Sequence, residues 1–146
     1  MPSIMRRMNV ISRCATAYKT ENGDIESISG CHHAFFFPIC AHPGLSQDAL
    51  VKHTRLNKST VTRSLAYLEE HGFIKREQDP SDKRSLLVFP TDKMLSVFPD
   101  IRRLAKAWNS ALTEGIAEEE LSIFESVLEK LQSRAEALAF GEENEV

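Results

Sequence analysis

The apolar positions in the middle of the chain repeat with the period of a helix, in two short segments that follow one another. Ser46 starts the first segment as an N-cap, because its hydroxyl can accept a hydrogen bond from an orphan backbone N–H. This helix is predicted to run to about Thr54, with a turn at Arg55 and Leu56. Its inward-facing positions are Ala49, Leu50 and Val51.

The second segment is predicted to be a helix capped at its start by Asn57 or Ser59. Its apolar residues recur at i, i+4 and i+7, so they form one buried stripe of Val61, Leu65 and Leu68. The opposite face is short or cationic, with Ser59, Arg63 and Ala66 at its centre and Lys58 and Thr62 beside them. Gly72 stands where a glycine ends a helix. Such a polar face is typical of a recognition helix, which reads the major groove from its N-terminal end.

Beyond Gly72 the pattern changes to that of a β-hairpin. Residues 74–77 and 85–89 are predicted strands, and the segment 79–84 between them contains Asp, Pro and Ser, which favour turns. Lys83 and Arg84 near the tip suit the minor groove of DNA, whose negative potential attracts arginine. Asp82, two residues before Arg84, is expected to orient its guanidinium. Taken alone, the hairpin is equally well explained as an ordinary charged surface turn.

The flanks are predicted to be helical. The segments are Ile4 to about Lys19, Ser29 to Ala41, a long helix beginning at Pro90-Thr91-Asp92, and Glu118 to Ala139; residues 20–24 form a loop. Pro38 should kink or end the second of these helices, and Pro99 should bend the third. Together the flanks carry more apolar surface than one small winged core can bury. We therefore expect a homodimer, with an interface on the order of 2,000 Å² or more.

The central segment strongly resembles the MarR family of bacterial transcriptional regulators. The matching stretches are HPGLS before the first helix, NKSTVTR at the start of the second, LEEHGFIKR leading into the hairpin, and DPSDKR, which resembles the family's Asp-x-Arg wing. The resemblance covers roughly Cys31 to Leu138. It implies a mainly α fold with a small β-hairpin wing, namely a winged helix-turn-helix with N- and C-terminal dimerisation helices. It also implies an obligate dimer that binds a pseudo-palindromic operator. We interpret the protein as a repressor and predict no cofactor.

The resemblance and the polar face together indicate which residues contact DNA. Asp82 and Arg84 would be the wing pair, and the start of the second helix would carry groove and phosphate contacts. The full set is Ser46, Asn57, Lys58, Ser59, Thr60, Thr62, Arg63, Arg76, Asp82, Lys83 and Arg84. As regions, residues 1–28 are expected to form a dimerisation helix and loop, 29–90 the DNA-binding region, 91–140 further dimerisation helices, and 141–146 an acidic tail.

Composition is consistent with this interpretation once the charge is divided along the chain. The 146 residues fit one domain, but a net charge of −3 and a pI near 6.0 look wrong for a DNA-binding protein. The acidity lies in the segment Thr113 to Val146, which holds ten acidic and two basic residues. No acidic residue occurs between Asp48 and Glu69. The sequence shows neither a signal peptide nor a membrane span, so we expect a cytoplasmic protein.

A signal-sensing site is less clearly indicated. Cys31, His32, His33, Cys40 and His42 are zinc-ligand types, but their spacing matches no strong template, so no metal site is predicted. On the plainer interpretation, Cys31 and Cys40 pack as small hydrophobes and His32 or His33 makes a single polar contact. Thiol sensing is an alternative, since Arg13 beside Cys14 could lower the pKa of its thiol.

By analogy with the family, a small organic effector is the expected signal, with Tyr18, His33, Phe36 and Trp108 as candidate pocket residues. An enzyme is not expected, because the chain has no Gly-x-Ser-x-Gly, no P-loop and no His-Glu-x-x-His. A winged-helix module that binds proteins is the remaining alternative. Such a module would more often have apolar residues where this chain has Lys58, Ser59, Thr62 and Arg63.

Overall fold

The computed structural model describes residues 3–23, 25 and 28–141. Within them the chain forms six helices, a short 3-10 turn at Gly30–His32 and three strands. The helices are α1 (Ile4–Asn22), α2 (His33–Ala41), α3 (Gln47–Thr54), α4 (Lys58–Glu70), α5 (Asp92–Leu112) and α6 (Glu118–Phe140); the strands are β1 (Leu45–Ser46), β2 (Ile74–Asp79) and β3 (Asp82–Pro90). The predicted class, mainly α with a small hairpin wing, is confirmed. The chain divides into two compact units, one up to Trp108 and one from Asn109.

Helices α3 and α4 begin and end as the sequence predicts. The Ser46 hydroxyl accepts from the backbone N–H of Ala49 at 3.0 Å, and Asn57, not Ser59, caps α4 through its Oδ1, 2.8 Å from the Thr60 nitrogen. Arg55 ends α3 with a left-handed φ of 54°. Gly72 follows α4 with a φ of 78°, which glycine adopts without the steric cost of a Cβ.

One side of α4 is sealed against the core. Val61, Leu65 and Leu68 are all 0% exposed, which confirms the predicted stripe. They pack in one cluster with side chains from α2, α3, the sheet and α5, including Phe36 and Phe73, whose ring centroids lie 5.7 Å apart. Burial of each such side chain favours folding by about 1.5–3 kcal/mol. The core therefore determines which face of α4 is left to solvent.

The strands of the hairpin are longer than predicted and its turn is tighter. Strands β2 and β3 pair antiparallel from Ile74↔Pro90 to Asp79↔Asp82, which leaves Pro80 and Ser81 as the turn. Lys83 and Arg84 are therefore strand residues near the tip. The two-residue strand β1 pairs with β3 on its other edge, giving the sheet order β1-β3-β2.

Neither Pro38 nor Pro99 ends its helix. Helix α2 continues past Pro38 to Ala41, and the His42 N–H donates to the Pro38 carbonyl at 2.9 Å. Helix α5 also runs through Pro99 without ending. A proline removes one i→i−4 donor, and the buried apolar side chains on either side of Pro38 offset that loss.

The ends of two flanking helices also differ from prediction. Helix α1 includes residues 20–22, which we expected to be a loop, and it ends where the Gly23 N–H donates to the Lys19 carbonyl at 3.0 Å. Asp24 of that loop lies outside the described residues. The start of the predicted second helix, at Ser29 to His32, is an extended residue followed by the 3-10 turn. None of the described helices is long and apolar enough to cross a membrane.

Candidate nucleic-acid interface

The solvent-facing side of α4 is polar and basic over its first two turns. Lys58, Ser59, Thr62, Arg63 and Ala66 are all exposed, while Thr60 is half-buried. This face lies opposite the buried stripe, so α4 presents its N-terminal half outward with no carboxylate on that half.

Hydrogen bonds within this face determine what each side chain has left to offer. The Asn57 Oδ1 accepts from the Thr60 N–H and from the Ser59 hydroxyl at 2.9 Å, so the amide NH₂ of Asn57 is turned away from these bonds. The Thr62 hydroxyl donates to the Lys58 carbonyl at 2.8 Å and accepts from Gln47 Nε2 at 3.0 Å. Lys58 and Arg63 make no side-chain ion pair with any residue that the structure describes.

The wing is stiffened at its tip. The Asp79 Oδ1 accepts from the backbone N–H of Ser81 at 2.9 Å and from its hydroxyl at 2.8 Å; the first of these bonds is the main reason that the pKa of Asp79 is lowered. Across the hairpin, Gln78 Nε2 donates to the Lys83 carbonyl at 2.7 Å. Lys83 and Arg84 are exposed.

The expected contact between Asp82 and the Arg84 guanidinium is wrong. Instead, the Asp82 Oδ1 accepts from the backbone N–H of Arg84 at 3.0 Å. A spacing of two residues at the start of a strand places the short aspartate side chain on the backbone, as in an Asx turn. Asp82 thus shapes the tip, and the Arg84 guanidinium extends without it.

Arg76 differs from the other predicted DNA contacts because its guanidinium is already occupied. It forms a two-pronged pair with Glu69 of α4, with Nη2 to Oε1 at 3.0 Å and Nε to Oε2 at 3.2 Å. Its Nη1 also donates to Gln47 Oε1 at 3.4 Å, and the side chain is only 17% exposed. The bond from Arg76 lowers the pKa of Glu69. Arg76 therefore ties the wing to α4 and α3.

Sequence reasoning missed Gln47 and Glu69. No periodicity connects Glu69 to Arg76, because the six residues between them cross from a helix into a strand. Gln47 lies 15 residues from Thr62 and 29 from Arg76. Only the packing of α3, α4 and β2 brings these side chains together.

Lys58 of α4 and Arg84 of β3 meet at one shallow pocket of about 80 Å³. Its other lining residues are Gln47, Asp48, Ser85 and Leu86. The pocket shows that the start of α4 and the wing face the same side of the first unit. Ser46 contributes there through its cap of α3 and is half-buried.

The four residues predicted to line an effector pocket do not surround one pocket. Phe36 is 0% exposed and belongs to the core, so its placement in a pocket is wrong. Tyr18 and Trp108 do meet, with ring centroids 5.2 Å apart. His33 is 1% exposed, and neither ring nitrogen has a hydrogen-bond partner among the described residues. Burial lowers its pKa to about 4, assisted by Lys19 and His32.

A separate cleft of about 360 Å³ opens between the end of α1 and the middle of α5. It is lined by Asn22, Gly23, Ile25, Asp100, Arg103, Leu104 and Ala107. Arg103 and Asp100 form an ion pair at 2.9 Å on its α5 side. The cleft combines charged groups with aliphatic surface, and none of its lining residues was among the pocket residues predicted from the sequence.

The cysteines do not gather into a site. Cys14 and Cys31 are exposed, so the expectation that Cys31 packs as a small hydrophobe is wrong; its Sγ lies 2.8 Å from the Ser29 hydroxyl. Cys40 is half-buried, and burial raises the pKa of its thiol. His32 contacts the Ser29 hydroxyl at 3.2 Å and stacks on Tyr67. The described residues contain no group of three or more potential metal ligands.

Comparisons with known proteins agree with this geometry. A family model described as "MarR family" matches residues 38–86. The uncharacterized HTH-type transcriptional regulator YybA of Bacillus subtilis (strain 168) is 26% identical, with 93% of this chain and 91% of that protein covered. The HTH-type transcriptional regulator BilQ of Clostridium symbiosum is 30% identical, with 70% and 72% covered.

Solved structures show the same fold. A putative MarR family transcriptional regulator from Listeria monocytogenes, crystallised in complex with 26mer DNA, superimposes with a TM-score of 0.84 at 25% identity, with 92% of this chain and 89% of that chain covered. These relatives are transcriptional regulators and not enzymes. The chain therefore belongs to the MarR family of winged-helix, DNA-binding transcriptional regulators.

Proposed function

We propose that this protein is a homodimeric repressor that binds a pseudo-palindromic operator in the bacterial cytoplasm. Helix α4 enters the major groove by its N-terminal half, and the wing lies at the adjacent minor groove. The observation that carries the proposal is the shared orientation of Lys58 and Arg84, which line one pocket although they lie on different elements. Two cations on one side fit a duplex better than a protein partner, because phosphates follow both grooves.

The contacts divide by chemistry. Contacts to the DNA phosphates are made by four residues, namely Lys58, Lys83 and the half-buried Ser46 and Thr60. Asn57, Ser59, Thr62 and Arg63 face base edges in the major groove, and Arg84 enters the minor groove. Asp82 and Arg76 support these contacts without touching DNA: Asp82 is bonded to the backbone of the tip, and Arg76 to Glu69.

The direct test is an anisotropy titration with labelled duplex DNA. Arg63→Ala should weaken binding strongly, since Arg63 is exposed on the reading face. Lys130→Ala, in α6, is the matched control, because it removes one exposed cation elsewhere and should leave affinity within a factor of two. Equal effects of the two substitutions would show that only net charge matters and would contradict the assignment of α4.

The homodimer is supported by apolar side chains left exposed on the terminal helices. On α1 they are Ile4, Met5, Val10 and Ile11, and on α6 Ile123, Phe124, Val127, Leu138 and Phe140. Leu138 is 88% exposed, and an apolar side chain in contact with water does not stabilise an isolated chain. A second copy that packs against both faces removes this surface from water, and residues 1–28 and 91–140 then act as dimerisation regions. Two recognition helices can thereby meet major grooves about 10 base pairs apart.

Sedimentation at micromolar concentration tests the dimer. Wild type should sediment as a dimer, and Phe124→Glu should shift it towards monomer because a charge would enter the apolar interface. Ser126→Glu adds the same charge to another exposed position on α6 and should leave the dimer intact. A monomeric wild type would contradict the proposal.

Repression is steric in this proposal: the dimer covers a promoter until an effector changes the distance between the recognition helices. The cleft between α1 and α5 supports an effector that is small and partly polar, because it offers Arg103 and Asn22 beside aliphatic side chains. Ala107→Phe should fill the cleft and abolish release by such a compound while operator binding persists. If the compound still releases the Ala107→Phe variant from the operator, the effector binds elsewhere.

A further inference from the structure

We propose that Thr62 reads thymine through its methyl group, and that Gln47 is the positioning residue that keeps the Thr62 hydroxyl out of the groove. The inference rests on the proposed entry of α4 into the major groove and adds the chemistry of one contact. It makes Thr62 a determinant of specificity and includes Gln47, which touches no base, in the reading mechanism.

The Thr62 hydroxyl is engaged on both sides by the protein. A hydroxyl has one proton to donate, and that proton goes to the Lys58 carbonyl one turn earlier, at 2.8 Å. It also accepts from Gln47 Nε2 at 3.0 Å. No donor remains for the acceptors that guanine, adenine and thymine present in the major groove. The oxygen keeps one acceptor lone pair, which only an amino group of adenine or cytosine could use, so at a thymine the group that the exposed Thr62 offers is its methyl.

The orientation of Gln47 is determined by a neighbour that can only donate. The guanidinium of Arg76 has no acceptor, so the group of Gln47 that faces it at 3.4 Å must be the amide oxygen. The amide nitrogen is then turned to Thr62, where it must donate. Glu69 holds Arg76 by two bonds in turn. Three side chains, Gln47 of α3, Glu69 of α4 and Arg76 of β2, thus keep the threonine hydroxyl bonded within the protein.

A second methyl lies beside the first. Ala66 is four residues after Thr62 and is also exposed, so the two are neighbours on the surface of α4. Among the four bases, thymine alone carries a methyl group in the major groove, and contact with threonine or alanine methyls is a recognised way to read it. The pair forms a small apolar strip on the same exposed face as Ser59 and Arg63, suited to the thymine C5-methyl.

Deoxyuridine tests this contact, because it differs from thymine only by that methyl group. An operator is first recovered by selection from random duplexes, and its thymines are then replaced one at a time in one half-site. Wild type should lose about fourfold in affinity at one or two positions, the worth of one buried methyl group. Affinity at the remaining thymines should not change.

Substitutions at residue 62 separate the contribution of the threonine methyl group from that of its hydroxyl. Thr62→Val keeps a methyl at the reading position and should retain the fourfold loss, whereas Thr62→Ser keeps only the hydroxyl and should abolish it at the position facing residue 62. Gln47→Ala removes the bond that the hydroxyl accepts, which leaves the hydroxyl freer to turn, and should reduce this discrimination. Simple loss of packing would lower affinity for both duplexes equally, so the ratio of the two affinities reports the positioning role.

Three outcomes overturn the inference. They are deoxyuridine without effect at every position, Thr62→Ser with the same fourfold loss as wild type, and Gln47→Ala with unchanged discrimination. Each leaves the proposed function standing, since operator binding itself would have been measured. Failure to recover any operator would instead count against the proposed function.

Discussion

At the scale of the residue, the side chains that distinguish this chain either form hydrogen bonds within the protein or are buried without a hydrogen-bond partner among the described residues. Asn57, Ser59 and Thr62 spend part of their bonding capacity on one another or on α3 and α4. His33 is the opposite case, a buried imidazole with no partner among the described residues. The hydrogen bonds of Asn57, Ser59 and Thr62 hold these side chains in place before DNA binds. The buried His33 makes the free energy of unfolding depend on pH.

The stability of the protein should fall as the pH drops below about 6.5. Burial lowers the pKa of His33 to about 4, so the unfolded chain takes up this proton near pH 6.5 while the folded chain resists it. Stability is complete above that range and should decrease by about 1 kcal/mol per pH unit between pH 6.5 and 5. Denaturant unfolding at several pH values measures this.

His33→Leu should remove most of that dependence, leaving a smaller contribution from His32, whose pKa is also lowered. His53→Gln is the matched control, because His53 is exposed, and it should leave the dependence unchanged. A His33→Leu variant with the same pH profile as wild type would contradict this account of the buried imidazole.

Arg84 should affect the salt dependence of DNA binding as one contact to a phosphate does. Arg84→Ala should weaken binding to all duplexes and reduce the slope of log affinity against log salt by about one unit. Titrations at three or more salt concentrations give this slope. If affinity and slope are both untouched, the wing does not lie at the groove.

At the scale of the element, α4 is held in place from two directions. Its buried stripe packs on the core, and Glu69 at its end is bonded to Arg76 of the wing. The stripe and the caps of α3 and α4 could be predicted from sequence, because helix periodicity and capping are local. Strand β1, the network from Glu69 to Thr62 and the burial of His33 without a hydrogen-bond partner among the described residues could not, because each depends on packing between distant segments.

Leu65→Ala should destabilise the protein by about 2–5 kcal/mol, since it leaves a cavity in the middle of the buried stripe. Chemical denaturation gives the change in unfolding free energy. Leu86→Ala, at a wing position that is 38% exposed, should have a much smaller effect. Similar losses for the two leucines would mean that α4 is not packed as the structure shows.

The pairing of Arg76 with Glu69 should appear as energetic coupling between the wing and α4. A double-mutant cycle with Arg76→Ala and Glu69→Ala should give a coupling of about 0.5–1 kcal/mol, because the pair is two-pronged but Glu69 is partly exposed. Unfolding free energies of the four proteins supply it. A coupling of zero would show that the pair with Glu69 does not hold Arg76, and Arg76 would again be a predicted DNA contact.

At the scale of the whole molecule, positive and negative charge are separated along the chain. The reading face of α4 and the wing carry cations, while residues 113–146 hold ten of the 21 acidic residues. The exposed apolar residues of α1 and α6 lie on elements outside the winged helix. In the proposed function this separation lets a protein of net charge −3 bind DNA, because the local field at the contact face governs binding.

The central claim is that two copies of α4 read one operator, and selection of bound sequences from a random duplex library tests it most directly. With purified protein at about 150 mM salt, where non-specific binding is suppressed, we expect enrichment of a pseudo-palindrome whose half-sites are centred about 10 base pairs apart. A single unpaired half-site, or no enrichment by folded protein, would contradict the claim.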